Sequence, residues 1–299
     1  MRRHASSLNF RNSVSLLAIL TLATPALAQE GEFLGTIALG ESKREVQTDT
    51  ATALTVVDQE EIDDRQASTI AQLVDSGPGV SLVNGSTPAG SGINIRGFGA
   101  NSTFGTDQKV AVIVDGASVG SEELYRLGTQ LFTDPALYKS VSVVRGTVGS
   151  FAYGSGVVGG VVQLDTKDAS DFTGGEVGFN ARQTLQFSSN GDGISASSIL
   201  AYQPSEDLEF LLNYTHRQQD IQTDGNGDEI GASDFFLPSY LLKGRYTFGQ
   251  NRDQTVTFSY SDTSTDEENV LYDTFQTTAD AFGRVNRETQ TQTAVIRYD

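Results

Sequence analysis

The chain has no cysteine, no tryptophan, one methionine and six prolines among its 299 residues. Without cysteine it has no disulfide framework, no thiolate metal site and no thiol nucleophile. Histidine is nearly as scarce, with two copies, His4 and His216. A multi-imidazole zinc centre is therefore excluded, and no nucleophile with a base or paired carboxylate site stands out in its place, so the chain is not expected to be an enzyme. Basic side chains number 20 against 38 acidic ones, a net charge of −18, and such a surface repels nucleic acid. Apart from one short run near the N-terminus, the chain also lacks long apolar stretches. None approaches the roughly 18 residues that a helix needs to cross a bilayer, so any crossing must be made by β-structure.

That one run, Val14 to Ala23, follows the basic residues Arg2, Arg3 and Arg11 and precedes Ala26-Leu27-Ala28. The order is that of a secretory signal peptide spanning residues 1–28. Its removal takes away basic residues and no acidic ones, which deepens the negative charge of the mature part. Residues 29–50 are mostly polar around a short apolar island, Leu34-Gly35-Thr36-Ile37-Ala38-Leu39, and are expected to form a mobile leader.

Residues 51–170 read as an α+β domain. Asp58-Gln-Glu-Glu61 has the form of a capping box, and Ser68 is the expected cap of a second short helix carrying Ile70, Leu73 and Val74. Strands are expected at 80–83, 93–96, 110–115, 141–145 and 158–164. Within the stretch Tyr153-Gly-Ser-Gly156-Val-Val-Gly159-Gly160 lies a G-x-G-x-x-G pattern at Gly154, Gly156 and Gly159. A dinucleotide fingerprint needs a helix after the first glycines, because the pyrophosphate sits on that helix's free N–H groups. Here Val157, Val158, Val161 and Val162 surround a glycine pair, a strand pattern. The glycines are instead expected where backbone packs closely against a neighbour.

Past residue 171 the apolar residues alternate with period two. Leu208, Phe210, Leu212 and Tyr214 alternate with Glu209, Leu211, Asn213 and Thr215, and Tyr240, Leu242, Tyr246 and Phe248 alternate with Leu241, Lys243, Arg245 and Thr247. Similar strands are expected at 177–187, 194–202, 256–260 and 294–298. After a first short hairpin the connections alternate short (204–207), long (220–234), short (249–254) and long (267–286), as the two ends of a transmembrane β-barrel do. Tyr202 and Phe248 abut short turns, where an interfacial aromatic belt belongs. A soluble β-sandwich is the alternative on pattern alone. A barrel that holds a plug needs about 22 strands, so the six read here make up the first part of an incomplete one.

Signal peptide, leader, α+β domain and barrel strands, in that order, resemble a TonB-dependent outer-membrane receptor of Gram-negative cells. The motifs Ile95-Arg96-Gly97-Phe98-Gly99, Val112-Ile-Val-Asp115-Gly116, Val143-Val-Arg145-Gly146 and Tyr153-Gly-Ser-Gly156-Val-Val-Gly159-Gly160 are similar to successive signatures of its plug domain. Phe132-Thr-Asp-Pro135 and the run from Leu164 to Asp171 look most like the heme and hemoglobin receptor branch. Ser142, Thr147 and Gln163 depart from the family's usual glutamate, proline and asparagine at these places.

The resemblance implies an N-terminal α+β plug inside a transmembrane antiparallel β-barrel, with residues 34–39 as a TonB box that adds as a strand to TonB. The family's acidic residue at the start of the box is replaced by Gly35. It also implies that Arg96 and Arg145 pair with acidic groups on the barrel wall, and that plug glycines crowd inside the lumen. The transported ligand is heme or a heme protein, with a ferric siderophore as the alternative, and no intrinsic cofactor is implied. An exported adhesive or structural β-protein is the reading from another class. His216 shares parity with the apolar face and is expected to point to lipid. Tyr125, beside Arg126, is the candidate iron-ligating residue in the plug. Asp224-Gly-Asn-Gly-Asp228 holds half of a calcium-loop pattern, with Glu229 and Phe235 where glycine and glutamate belong.

Overall fold

The computed structural model describes residues 54–83, 87–100, 109–119, 131–147, 156–230, 233–272 and 283–299. The leader segment Leu34 to Leu39, and with it Tyr125, Arg126, Tyr153 and Gly154, lie outside the described residues.

β1 (Leu54–Val57), not anticipated from the sequence, leads into the helix Gln59–Arg65. The Asp58 carboxylate accepts the Glu61 N–H at 3.1 Å, as the capping box requires. The second cap falls one residue later than expected. Thr69 Oγ1 accepts the Gln72 N–H at 3.3 Å, while Gln72 Oε1 accepts the Ser68 N–H at 2.9 Å. Burying Ile70, Ala71, Leu73 and Val74 together sets the start of the helix Ile70–Val74, and Ser68 is left to supply only its backbone N–H.

β2 (Val80–Val83), β3 (Gly92–Ile95) and β4 (Phe98–Gly99) form a three-stranded sheet. β5 (Val110–Val114), β6 (Ala117–Val119), β7 (Tyr138–Arg145) and β8 (Gly160–Thr166) join β1 in a second sheet of order β1-β7-β8-β5-β6. Arg96-Gly97 and Asp115-Gly116 are the two-residue turns of the β3–β4 and β5–β6 hairpins. Both residues of each turn have positive φ, 52° and 93° in the first, 49° and 89° in the second, the geometry of a type I′ turn that glycine makes accessible.

Gly159 and Gly160 meet a different constraint. A Cβ at Gly159 would lie 2.5 Å from Phe98 Cβ, and one at Gly160 would lie 2.4 Å from the Val144 carbonyl oxygen. The close approach expected of the glycine run is therefore real, but at these two glycines the neighbours belong to the N-terminal domain itself and not to a surrounding wall.

β9 (Gly178–Ser188), β10 (Gly193–Ser205), β11 (Leu208–Gln219), β12 (Phe235–Phe248), β13 (Gln254–Leu271) and β14 (Arg284–Tyr298) form an antiparallel meander in chain order. Burial alternates along them. Glu209, Leu211, Asn213, Thr215 and Arg217 are buried against the N-terminal domain, while Phe210, Leu212 and Tyr214 are exposed on the opposite face. The exposed face continues through Leu200, Tyr202, Tyr240, Leu242, Tyr246 and Phe258. So contiguous an apolar outer surface suits a lipid environment.

Each hairpin ends where its parity in chain order demands. Arg252 bonds Glu206 and Asp207 at 3.0 and 2.8 Å, which places two short turns at one end. Asn190 and Thr223 exchange hydrogen bonds of 2.9 Å, which places the first hairpin beside a long loop at the other. Near the short-turn end the rings of Tyr246, Phe248 and Tyr298 succeed one another at 5.5 and 6.4 Å. β13 and β14 are longer than expected, reaching Leu271 and starting at Arg284, so the last long loop narrows to 272–283. Of the extra residues, 261–269 and 286–293 are polar on both faces and carry no period-two apolar signal.

Candidate functional site at the boundary between domain and wall

The hydrophobic core does not stop at the N-terminal domain. Val110, Leu137, Val141, Val162 and Leu164 from the domain pack in one cluster with Ile199, Ala201, Leu211 and Leu241 from the wall. Around this shared core the ion pairs that cross the boundary have one polarity among the described residues: the domain supplies the carboxylate and the wall supplies the cation.

Towards the long-loop end, Asp134 and Arg217 of β11 form an ion pair of 2.9 Å, with side chains 0% and 8% exposed. The other Asp134 oxygen caps the turn Pro135–Leu137 by accepting the Ala136 N–H at 2.8 Å. The Ala136 carbonyl in turn accepts from Asn213 Nδ2 of β11 at 2.8 Å and from Lys167 Nζ at 2.9 Å. Burial pulls the Lys167 pKa down, with nearby Asp63 opposing it. Tyr138, immediately after the turn, shares a 2.7 Å hydrogen bond with Thr133, and burial pushes its hydroxyl pKa well up, so it remains neutral. The Phe132-Thr-Asp-Pro135 stretch thus builds a joint with β11.

Towards the short-turn end, Asp168 lies 2.6 Å from Lys139 of β7 and 2.8 Å from Lys243 of β12. Burial alone would raise the Asp168 pKa, but the two ammonium groups outweigh it and hold the carboxyl below its ordinary range. Arg245 of β12 bonds Glu209 of β11 at 3.0 Å and Ser170 of the domain at 3.0 Å. Asp115, brought to the wall by its hairpin turn, accepts from Thr166 N–H and Oγ1 at 2.9 and 2.7 Å and from Ser259 of β13 at 2.7 Å. Lys243 also donates to the Thr166 hydroxyl and carbonyl, at 2.9 and 3.1 Å. Beside this cluster is a cavity of about 540 Å³, lined on the domain side by Lys139, Asp165 and Asp168 and on the wall side by Thr247, Thr255 and Thr257.

The sequence-selected residues divide between these places. Asp115 stands at the boundary with the wall, and Gly116 completes its turn. Gly97, Gly146, Gly156, Gly159 and Gly160 shape the domain. Arg145 is buried and donates to Thr55 of β1. Arg96 is exposed at its hairpin tip, and no ion pair to a wall carboxylate is formed by either arginine among the described residues. His216 stands on the outer face against Phe236, at a ring-centroid distance of 4.7 Å. The Asp224 carboxylate accepts the N–H groups of Asn226 and Asp228 at 2.8 and 3.0 Å and closes its own loop. These backbone bonds lower its pKa. Asp134 and Asp168 lie in the two stretches that carry the likeness to the heme-receptor branch but were given no role there, and Arg217, Lys243 and Arg245 belong to no motif. Their signal is parity, since the three cations sit on the non-apolar phase of their strands.

Comparisons with known proteins agree with this architecture. The family "TonB-dependent Receptor Plug Domain" matches residues 46–161. Over 117 residues, 39% of the chain, the sequence is 38% identical to "TonB-dependent heme receptor A" of Haemophilus ducreyi. Over 250 residues, 82% of the chain, it is 27% identical to "Hemin receptor" of Yersinia pestis. The fold is similar to that of the FrpB iron transporter of Neisseria meningitidis (F3-3 variant), with a TM-score of 0.69 at 25% identity over 82% of the chain. These matches span 15%, 34% and 37% of the respective relatives.

Proposed function

We propose that this chain, a TonB-dependent receptor of the heme-receptor branch by its plug domain and its relatives, is the N-terminal part of an active importer in the outer membrane. The observation that carries the reading is the seating of a plug, through a shared core and buried ion pairs, on the inner face of an antiparallel sheet whose outer face is apolar. A domain held this way blocks the lumen at rest. An external ligand binds above it, TonB engages residues 34–39 from the periplasm and the pull rearranges the plug. The energy comes from the inner-membrane complex behind TonB, and residues 1–28 direct export. In the whole receptor about 22 strands close the barrel around a plug of this size.

Heme or a heme protein is the ligand that the relatives' names favour. No axial ligand comes from His216, which faces outward, so iron ligation within this chain falls to Tyr125, with Arg126 beside it. The ferric siderophore reading is decided by the same experiment. In a strain lacking other heme receptors, the full-length receptor is expected to support growth on hemin as sole iron source, and growth on ferric siderophores alone would replace heme as the ligand. Deleting residues 34–39 should abolish uptake while leaving hemin binding to whole cells unchanged. Uptake that survives the deletion would remove the TonB coupling from the scheme.

A further inference from the structure

The wall presents two chemically different inner faces. On β10 to β12 the lumen side holds the plug, through Ile199, Ala201, Leu211 and Leu241 in the core and through Arg217 and Lys243 in ion pairs. On β13 and β14 no such ion pair to the plug or residue of that core is found among the described residues. Ser259 faces the plug, since it bonds Asp115, and the antiparallel register puts directly opposed residues on the same side. Ser261, Thr263 and Thr265 of β13 therefore share the lumen face with Thr293, Thr291 and Thr289 of β14. Every one is a hydroxyl. Along this strip the bond from Ser259 is the one hydrogen bond to the plug among the described residues. The strip begins at the Glu267–Arg287 ion pair of 2.7 Å near the long loops and ends at Ser259 and Val295, both of which line the cavity of about 540 Å³ at the short-turn end.

From this we infer that the ligand's passage runs along the hydroxyl strip of β13 and β14 into that cavity, while the plug remains attached to β10 through β12. The inference rests on the transport reading above. A hydroxyl both donates and accepts, so a column of them exchanges hydrogen bonds with a hydrated, oxygen-rimmed solute such as a carboxylate-bearing iron chelate or tetrapyrrole. Because the strip is uncharged, no single site holds the solute tightly, the condition for passage rather than storage. The hydroxyl of Thr265 is buried without a hydrogen-bond partner. Moving the plug off this side breaks few of the bonds among the described residues, whereas moving it off β11 or β12 would strand Arg217, Lys243 and Asp134 without their ion-pair partners and leave Asp168 with Lys139 alone.

The test uses the full-length receptor with Thr291→Cys or Thr293→Cys, modified in intact cells during import with a bulky maleimide. Gln292→Cys, on the outer face of the same strand, is the control. Hemin import after modification, compared with the same variant before it, is expected to fall to the rate of unenergised cells for Thr291→Cys and Thr293→Cys and to stay unchanged for Gln292→Cys. Surface binding of hemin should persist throughout. If the unsubstituted receptor imports hemin and the modified strip variants import equally well, or if their thiols never react during import, the passage lies elsewhere while the transport reading stands. If the unsubstituted receptor imports nothing, the transport reading falls and the passage falls with it.

Discussion

At the scale of single residues, the most consequential contact is Asp134 with Arg217, a pair withdrawn almost wholly from water. Removing one partner of such a pair leaves the other charge buried alone, at a cost of about 3–5 kcal/mol, whereas replacing both with apolar groups is nearly neutral. Asp134→Leu and Arg217→Met should therefore each destabilise plug seating by about that amount, and the double variant should recover most of the loss. Urea-induced plug release, read by protease sensitivity of the folded receptor, checks the cycle, and additive losses would mean that the pair does not act as a unit. Only part of this was legible beforehand. The Asp-Gly and Arg-Gly pairs stood out as family signatures, but Arg96 and Asp115 were read as the ends of strands, whereas both are turn residues with positive φ beside a glycine. Asp134 was given no role, because an aspartate before proline in an exposed turn is indistinguishable in sequence from one sealed against a wall arginine 83 residues on.

Elements were legible in proportion to the surface they hide. Strands β10 to β12 were found because one face is exposed and apolar and the other packs on the N-terminal domain, so each residue's neighbour differs in polarity. β13 and β14 escaped beyond their apolar portions. From Asp262 to Glu268 the sequence reads Asp-Thr-Ser-Thr-Asp-Glu-Glu, and it is held extended by cross-strand backbone bonding and by polar side-chain bonds to β14, from Gln290 and Gln292 to Asp262 and between Arg287 and Glu267. β1 is too short for periodicity to show, and it exists because β7 offers it an edge at Val141 to Val144. Within the plug, the one-residue shift of the second cap can be tested. Thr69→Ala removes the oxygen that accepts the Gln72 N–H and should lower plug stability by about 1 kcal/mol. Ser68→Ala keeps the N–H that Gln72 Oε1 receives and should be close to neutral. Denaturant midpoints for the two variants distinguish the caps, and the reverse order would restore Ser68 as the cap.

For the whole molecule, the polarity of the plug's seat predicts how it responds to pH. The Asp168 carboxyl is held below its ordinary pKa because Lys243 and Lys139 outweigh the effect of burial, so its contribution is complete above the unfolded value of about 3.9 and is lost as pH falls through the lower folded value. Lys139 has the complementary sign. Burial acts against its charge, but Asp168 and Asp171 raise the pKa overall, and its contribution is lost only as pH rises through that raised value, at the alkaline extreme. Asp171, 3.7 Å from Lys139, runs the other way: burial raises its pKa, so acid favours its folded form. Apart from the opposing drift from Asp171 just above the acid limit, the seat should be insensitive to pH between the two limits, and its loosening should begin below about pH 4. Protease sensitivity of the plug in the folded, detergent-solubilised receptor reads this directly. Asp168→Asn should loosen the plug at neutral pH and flatten the acid limb, since the group that titrates there with the destabilising sign is gone. An acid limb of unchanged depth in that variant would overturn the assignment of the acid response to Asp168.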